Sequence, residues 1–91
     1  MMARFDVTPF DLTEMATAGG TADALLELGL LSCAGREDVG IDLVSAHKWF
    51  NLAALRGNAE AKRYRMEIAH EMSKRQIAEA QRQAREWLAR H

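Results

Sequence analysis

The chain has 91 residues, 48 % of them hydrophobic and 27 % charged, with a formal net charge of −1. One domain is the natural expectation for that length, burying about 60–65 % of its unfolded surface. So balanced a charge offers no global attraction to nucleic acid or to an anionic membrane, and no stretch is long and apolar enough to span a bilayer.

Strand patterning is absent: Ala, Leu, Glu, Arg, Gln and Met dominate, and no segment alternates apolar with polar residues over a strand's length. The expected fold class is therefore all-α. Met1–Val7 has no apolar run of signal-peptide length, and Cys33 is the only cysteine. Both features lead to the expectation of a reducing, cytoplasmic setting.

Helix punctuation predicts five helices in sequence order. Thr8-Pro9-Phe10-Asp11 sets a capping hydroxyl before a Pro at the first helical position, opening a short helix over 8–20 that Gly19-Gly20 closes. Thr21 opens a second helix, carrying Leu25, Leu26, Leu28 and Leu31 to about Cys33. Gly35 to Gly40 reads as a loop. Asp42 caps a third helix, which stops at Arg56-Gly57-Asn58 with Gly at the left-handed position. A fourth runs from Ala59 to about Glu71. Ser73 and Gln76 match a capping box and predict a fifth, ending near Ala89.

Apolar stripes fit these elements. The third helix carries Ala46, Trp49, Phe50, Ala53, Ala54 and Gly57 at helical spacing; the fifth carries Ile77, Ala80, Ala84, Trp87 and Leu88. Small residues let helix axes approach while one large aromatic fills the gap. Landmarks also recur: Ala24 and Ala61 are offset by 37 residues, and Ala46-x-x-Trp49 and Ala84-x-x-Trp87 by 38. That period suits helical hairpins, each of which must stack on a neighbour to bury its apolar face.

Ala24-Leu25-Leu26-Glu27-Leu28-Gly29, the loop glycine Gly35, and the run Ala46-His47-Lys48-Trp49-Phe50 through Ala53-Ala54-Leu55-Arg56-Gly57 to Ala61 together resemble the Sel-one-like repeat family, relatives of the tetratricopeptide repeats. The resemblance is close from Ala24 to Ala61 and loose from Lys62 to Trp87. Ser32 stands where the family has an aromatic, and the loop from Gly35 to Asp42 is one residue longer than usual. The resemblance implies antiparallel hairpins stacked as a short α-solenoid. Residues 1–91 would form one domain, with a capping helix at 8–20, a clear repeat at 22–57 and a degenerate one at 58–91. It also implies a concave face that binds proteins or peptides, an adaptor role of the kind common in bacterial signalling and assembly, and no shared catalytic residues.

The search for chemistry yields plain readings. His70 has Glu67 three residues before it, a lone pair short of a metal site; a solvated histidine is the simpler reading for His47, His70 and His91. Cys33 reads as a structural thiol. Asp38 and Asp42 read as a loop acid and a cap, and no nucleophile or phosphate-loop motif occurs. Trp49 and Trp87 lie on the apolar stripes, which favours core packing over interface anchoring. Glu71–Arg75 and Glu86–Arg90 are spaced for mutual support on a solvated, ion-paired basic face. The expectation is a non-enzymatic protein-interaction module without cofactors. Its partner is another protein, held by a groove around Leu30, Arg63, Met66 and His70. The alternative is a self-associating helical bundle, in which the partner is a second copy.

Overall fold

The computed structural model describes residues 21–35 and 40–90, so the expected capping helix at 8–20 and loop residues 36–39 lie outside it. The regular structure among the described residues is α-helical: α1 (Ala22–Ala34), α2 (Leu43–Leu55), α3 (Ala59–Ala69) and α4 (Lys74–Arg90). None of these helices is long and apolar enough to cross a membrane.

Each start follows from a local hydrogen bond to an otherwise orphaned amide. The Ala24 N–H donates to Thr21 Oγ1 at 3.1 Å, the Ser45 N–H to Asp42 Oδ1 at 3.0 Å, and the Ala61 N–H to Asn58 Oδ1 at 2.8 Å. The capping box of α4 forms in both directions: Ser73 N–H donates to Gln76 Oε1 at 2.9 Å and Gln76 N–H to Ser73 Oγ at 3.1 Å. Gly57, at φ 105°, makes the left-handed stop between α2 and α3.

α1 and α2 form the expected antiparallel hairpin. At one end Asp42 N–H donates to the Ser32 carbonyl at 3.0 Å, and at the other Asn58 Nδ2 donates to Asp23 Oδ1 at 3.3 Å. Between these ends Gly29 packs directly against the Phe50 ring, which is wholly buried. Leu25, Phe50 and Leu52 are the largest fully buried side chains, each worth about 1.5–3 kcal/mol of burial.

The expected second hairpin does not form. α3 and α4 each pack against α2 and hardly against one another, while α1 and α3 are likewise joined mainly through α2. α2 is thus the hub, burying Ala46, His47, Trp49, Phe50, Leu52 and Ala53 around more than half of its circumference. On α3 Tyr64 stacks on Phe50 with ring centroids 5.3 Å apart and planes at 20°. On α4 Trp87 meets Trp49 edge-to-face, at 6.4 Å and 85°. Both indoles are core residues, as the stripes predict. Two stripe positions lie outside the core: Gly57 is exposed in the turn after α2, and Leu88 is 43 % exposed because the buried stripe of α4 runs through Ala80, Ala84 and Trp87.

Candidate partner-binding surface

α3 has two unlike faces. Ala61, Tyr64 and Ile68 recur at helical spacing toward α2: Ala61 is fully buried, and Tyr64 and Ile68 pack against the core. Arg65 reaches across to donate a hydrogen bond from Nη1 to Asn51 Oδ1 of α2. Rotated away from this face are Arg63, Met66 and His70, spaced i, i+3 and i+7, and all three are exposed. Met66 is 57 % exposed, the one large apolar side chain of α3 that stands open to solvent. Arg63 lies over the Tyr64 ring at 5.5 Å and approaches Glu67 at 4.0 Å, a solvated pair of little energetic weight.

The sequence-predicted residues are only partly brought together. Arg63, Met66 and His70 share one face. Leu30 does not join them: it is partly buried and packs against the core from α1, and α1 and α3 approach one another too sparsely to enclose a groove between Leu30 and Met66. Apolar residues on α1 are drawn to the larger partner, α2, whose aromatic ring already fills the space beside Gly29.

No family model, curated protein or solved structure matches this sequence. The surface therefore has to be read from its own chemistry.

Two titratable groups sit below the surface. His47 is 4 % exposed, with Nδ1 lacking a hydrogen-bond partner among the described residues. Burial pushes its pKa down, and the Arg65 charge adds to the effect. This corrects the reading of His47 as a solvated histidine: its position on α2 beside Phe50 and Ala46 places it within the hub. Cys33 is half-buried; burial raises its thiol pKa and Glu71 raises it further, so it stays protonated and weakly nucleophilic at neutral pH. Among the described residues no group of three His, Cys, Asp or Glu side chains is placed to hold a metal ion.

The charged face of α4 is ion-paired, but not in the expected register. Arg82 bonds Glu79 at 2.6 Å and Glu86 at 2.7 Å, so Glu86 is drawn to the residue four before it and not to Arg90 four after it. Hydrogen bonds from Arg82 and Gln83 hold the Glu79 carboxyl down to a pKa of about 2. Sequence reasoning missed Asn58 as the cap of α3, treating it only as part of the α2 stop. Its offset of three from Ala61 was the available signal. It also missed Asn51, which is separated from its partner Arg65 on α3 by a distance in sequence that no local pattern spans.

Proposed function

We propose that this protein is a non-enzymatic protein-interaction module of the Sel-one-like repeat kind, which binds a peptide or helix of another protein. The observation that carries the reading is the outward face of α3, where exposed Met66 sits between Arg63, Glu67 and His70. An unbranched thioether adapts to varied apolar partners, and flanking charges orient and accelerate encounter. The α1–α2 hairpin supports the repeat assignment, with Gly29 and Phe50 as the close contact of the motif. A short α-solenoid built on the repeat at 22–57, with α3 and α4 laid against its second helix, is the architecture this reading carries. A reducing, cytoplasmic setting suits its single thiol, Cys33.

The test is the double variant Arg63→Glu with Met66→Asp. Both side chains point into solvent, so the melting temperature should stay within a few degrees of the parent's, since exposed substitutions usually change stability by no more than about 0.5 kcal/mol. Photo-crosslinking from position 66 in native cells should yield one discrete product with another protein, lost in the charge-reversed background. A product of twice the protein's mass would make the partner a second copy. Crosslinking unchanged by charge reversal would place the interface elsewhere.

A further inference from the structure

α2 and α4 leave an open cleft of about 250 Å³, lined by Lys48 from α2 and by Arg82, Gln83, Glu86, Trp87 and Arg90 from α4. That is below the roughly 300–1,000 Å³ of small-molecule sites, and fits one side chain or a small anion. Its three cations are not equivalent. Arg82 is clamped between Glu79 and Glu86. Lys48 and Arg90 make no ion pair among the described residues.

Lys48 is the unusual member. Its ammonium lies 4.2 Å from the centroid of the Trp49 ring and is partly withdrawn from water. Burial lowers its pKa, and Asp42 offsets this in part. An aromatic face repays only a fraction of the hydration such a charge gives up. Arg90 is exposed and presents a planar fork of donors suited to two oxygens at once. The Trp87 indole supplies an apolar wall, and the Arg56 guanidinium, 5.4 Å from that ring, adds positive potential nearby.

The acids decide between anions. Glu86 lines the cleft and Glu79 stands one turn from Gln83, so Lys48, Arg82 and Arg90 together keep one net positive charge. A single carboxylate neutralises that charge, whereas a doubly charged phosphate would overfill it. Gln83 already donates one amide N–H to Glu79 and has a second for the same group.

We propose that the cleft seats one carboxylate of a partner polypeptide, from an acidic residue or a free C-terminus, between Lys48 Nζ and the Arg90 guanidinium, with Trp87 as its wall. The inference rests on the interaction-module reading and gives the partner a chemistry: a segment with an accessible acid. It also places a second contact on the molecule, separate from the outward face of α3.

The test is a titration of ¹⁵N-labelled protein followed at the Trp87 indole N–H. The probes are an acetylated and amidated Gly-Glu-Gly-Glu-Gly peptide, its glutamine counterpart with the C-terminus either amidated or free, and inorganic phosphate. A saturable Trp87 shift with the capped glutamate peptide identifies side-chain acids. A shift confined to the glutamine peptide with a free C-terminus identifies the terminal carboxylate. Either affinity should fall about tenfold in Lys48→Gln with Arg90→Gln, the scale of a lost charge-assisted hydrogen bond, and should weaken as salt is raised. If that pair of changes disturbs folding, Arg90→Gln alone serves, because its side chain is exposed. No saturable shift from either carboxylate, an affinity unchanged in Arg90→Gln, or tighter binding of phosphate would overturn the proposal. The Arg63→Glu with Met66→Asp variant should titrate like the parent. A negative titration beside intact α3 crosslinking would thus remove only the cleft.

Discussion

Gly29 gives the sharpest test of how α1 meets α2. A Cβ added there would lie 2.4 Å from Phe50 Cε1 and 2.5 Å from Cδ1. Carbon atoms settle at about 3.5–4.0 Å, so the ring or the helix would have to move by about 1 Å. Phe50 is wholly buried and stacked on Tyr64, which leaves the ring nowhere to retreat. Overpacking of a core costs about 1–3 kcal/mol, and an overlap this deep belongs at the upper end. Against it stands the gain of Ala over Gly inside a helix, about 1 kcal/mol. Gly29→Ala should therefore lose about 2 kcal/mol net, lowering the melting temperature by about 8–16 °C for a protein of this length. Thermal and urea unfolding followed by circular dichroism measure it. Adding Phe50→Leu to Gly29→Ala should destabilise less than the two single changes summed, by about 1 kcal/mol or more, because the shorter leucine admits the methyl group. If Gly29→Ala melts at or above the parent, helix propensity outweighs packing and the close contact between α1 and α2 is wrong.

Three further outcomes follow from the same hub. Trp49→Ala should cost about 3–5 kcal/mol in urea unfolding, since it empties the space between α2 and α4 and removes the edge-to-face partner of Trp87. Asn58→Ala should cost about 1 kcal/mol through loss of the α3 cap, with Asn58→Asp nearly neutral, both read as shifts in the urea midpoint. His47 has a folded pKa below its ordinary 6.5, so the unfolded state binds the proton first. Its contribution is fully present above about pH 6.5 and is lost as pH falls through the depressed folded value. Urea midpoints measured from pH 7.5 downward should fall in that window for the parent, and fall less steeply for His47→Leu.

Helix boundaries were legible in the sequence because they are local. Thr21, Asp42 and Ser73 each sit three residues before the group they bond, and Gly57 supplies a backbone conformation that few other residues adopt. The apolar spacing on 46, 49, 50 and 53 likewise identified the buried face of α2, since 3.6 residues per turn fixes which side chains point together. The same logic made Arg63, Met66 and His70 readable as one face of α3. The tertiary structure decided which surfaces meet. Nothing in the stripe of Ala80, Ala84 and Trp87 says whether it should cover α3 or α2. It goes to α2, where Trp87 finds Trp49 and the small side chains of both helices allow close approach. That choice separates α4 from α3, leaves Leu30 packed on the core of the first hairpin, and draws Lys48 and Arg90 to one cleft from positions far apart in the sequence. Caps and stripes are set by neighbours three or four residues away, whereas the competition for the surface of α2 is settled by shape and buried area across the whole fold.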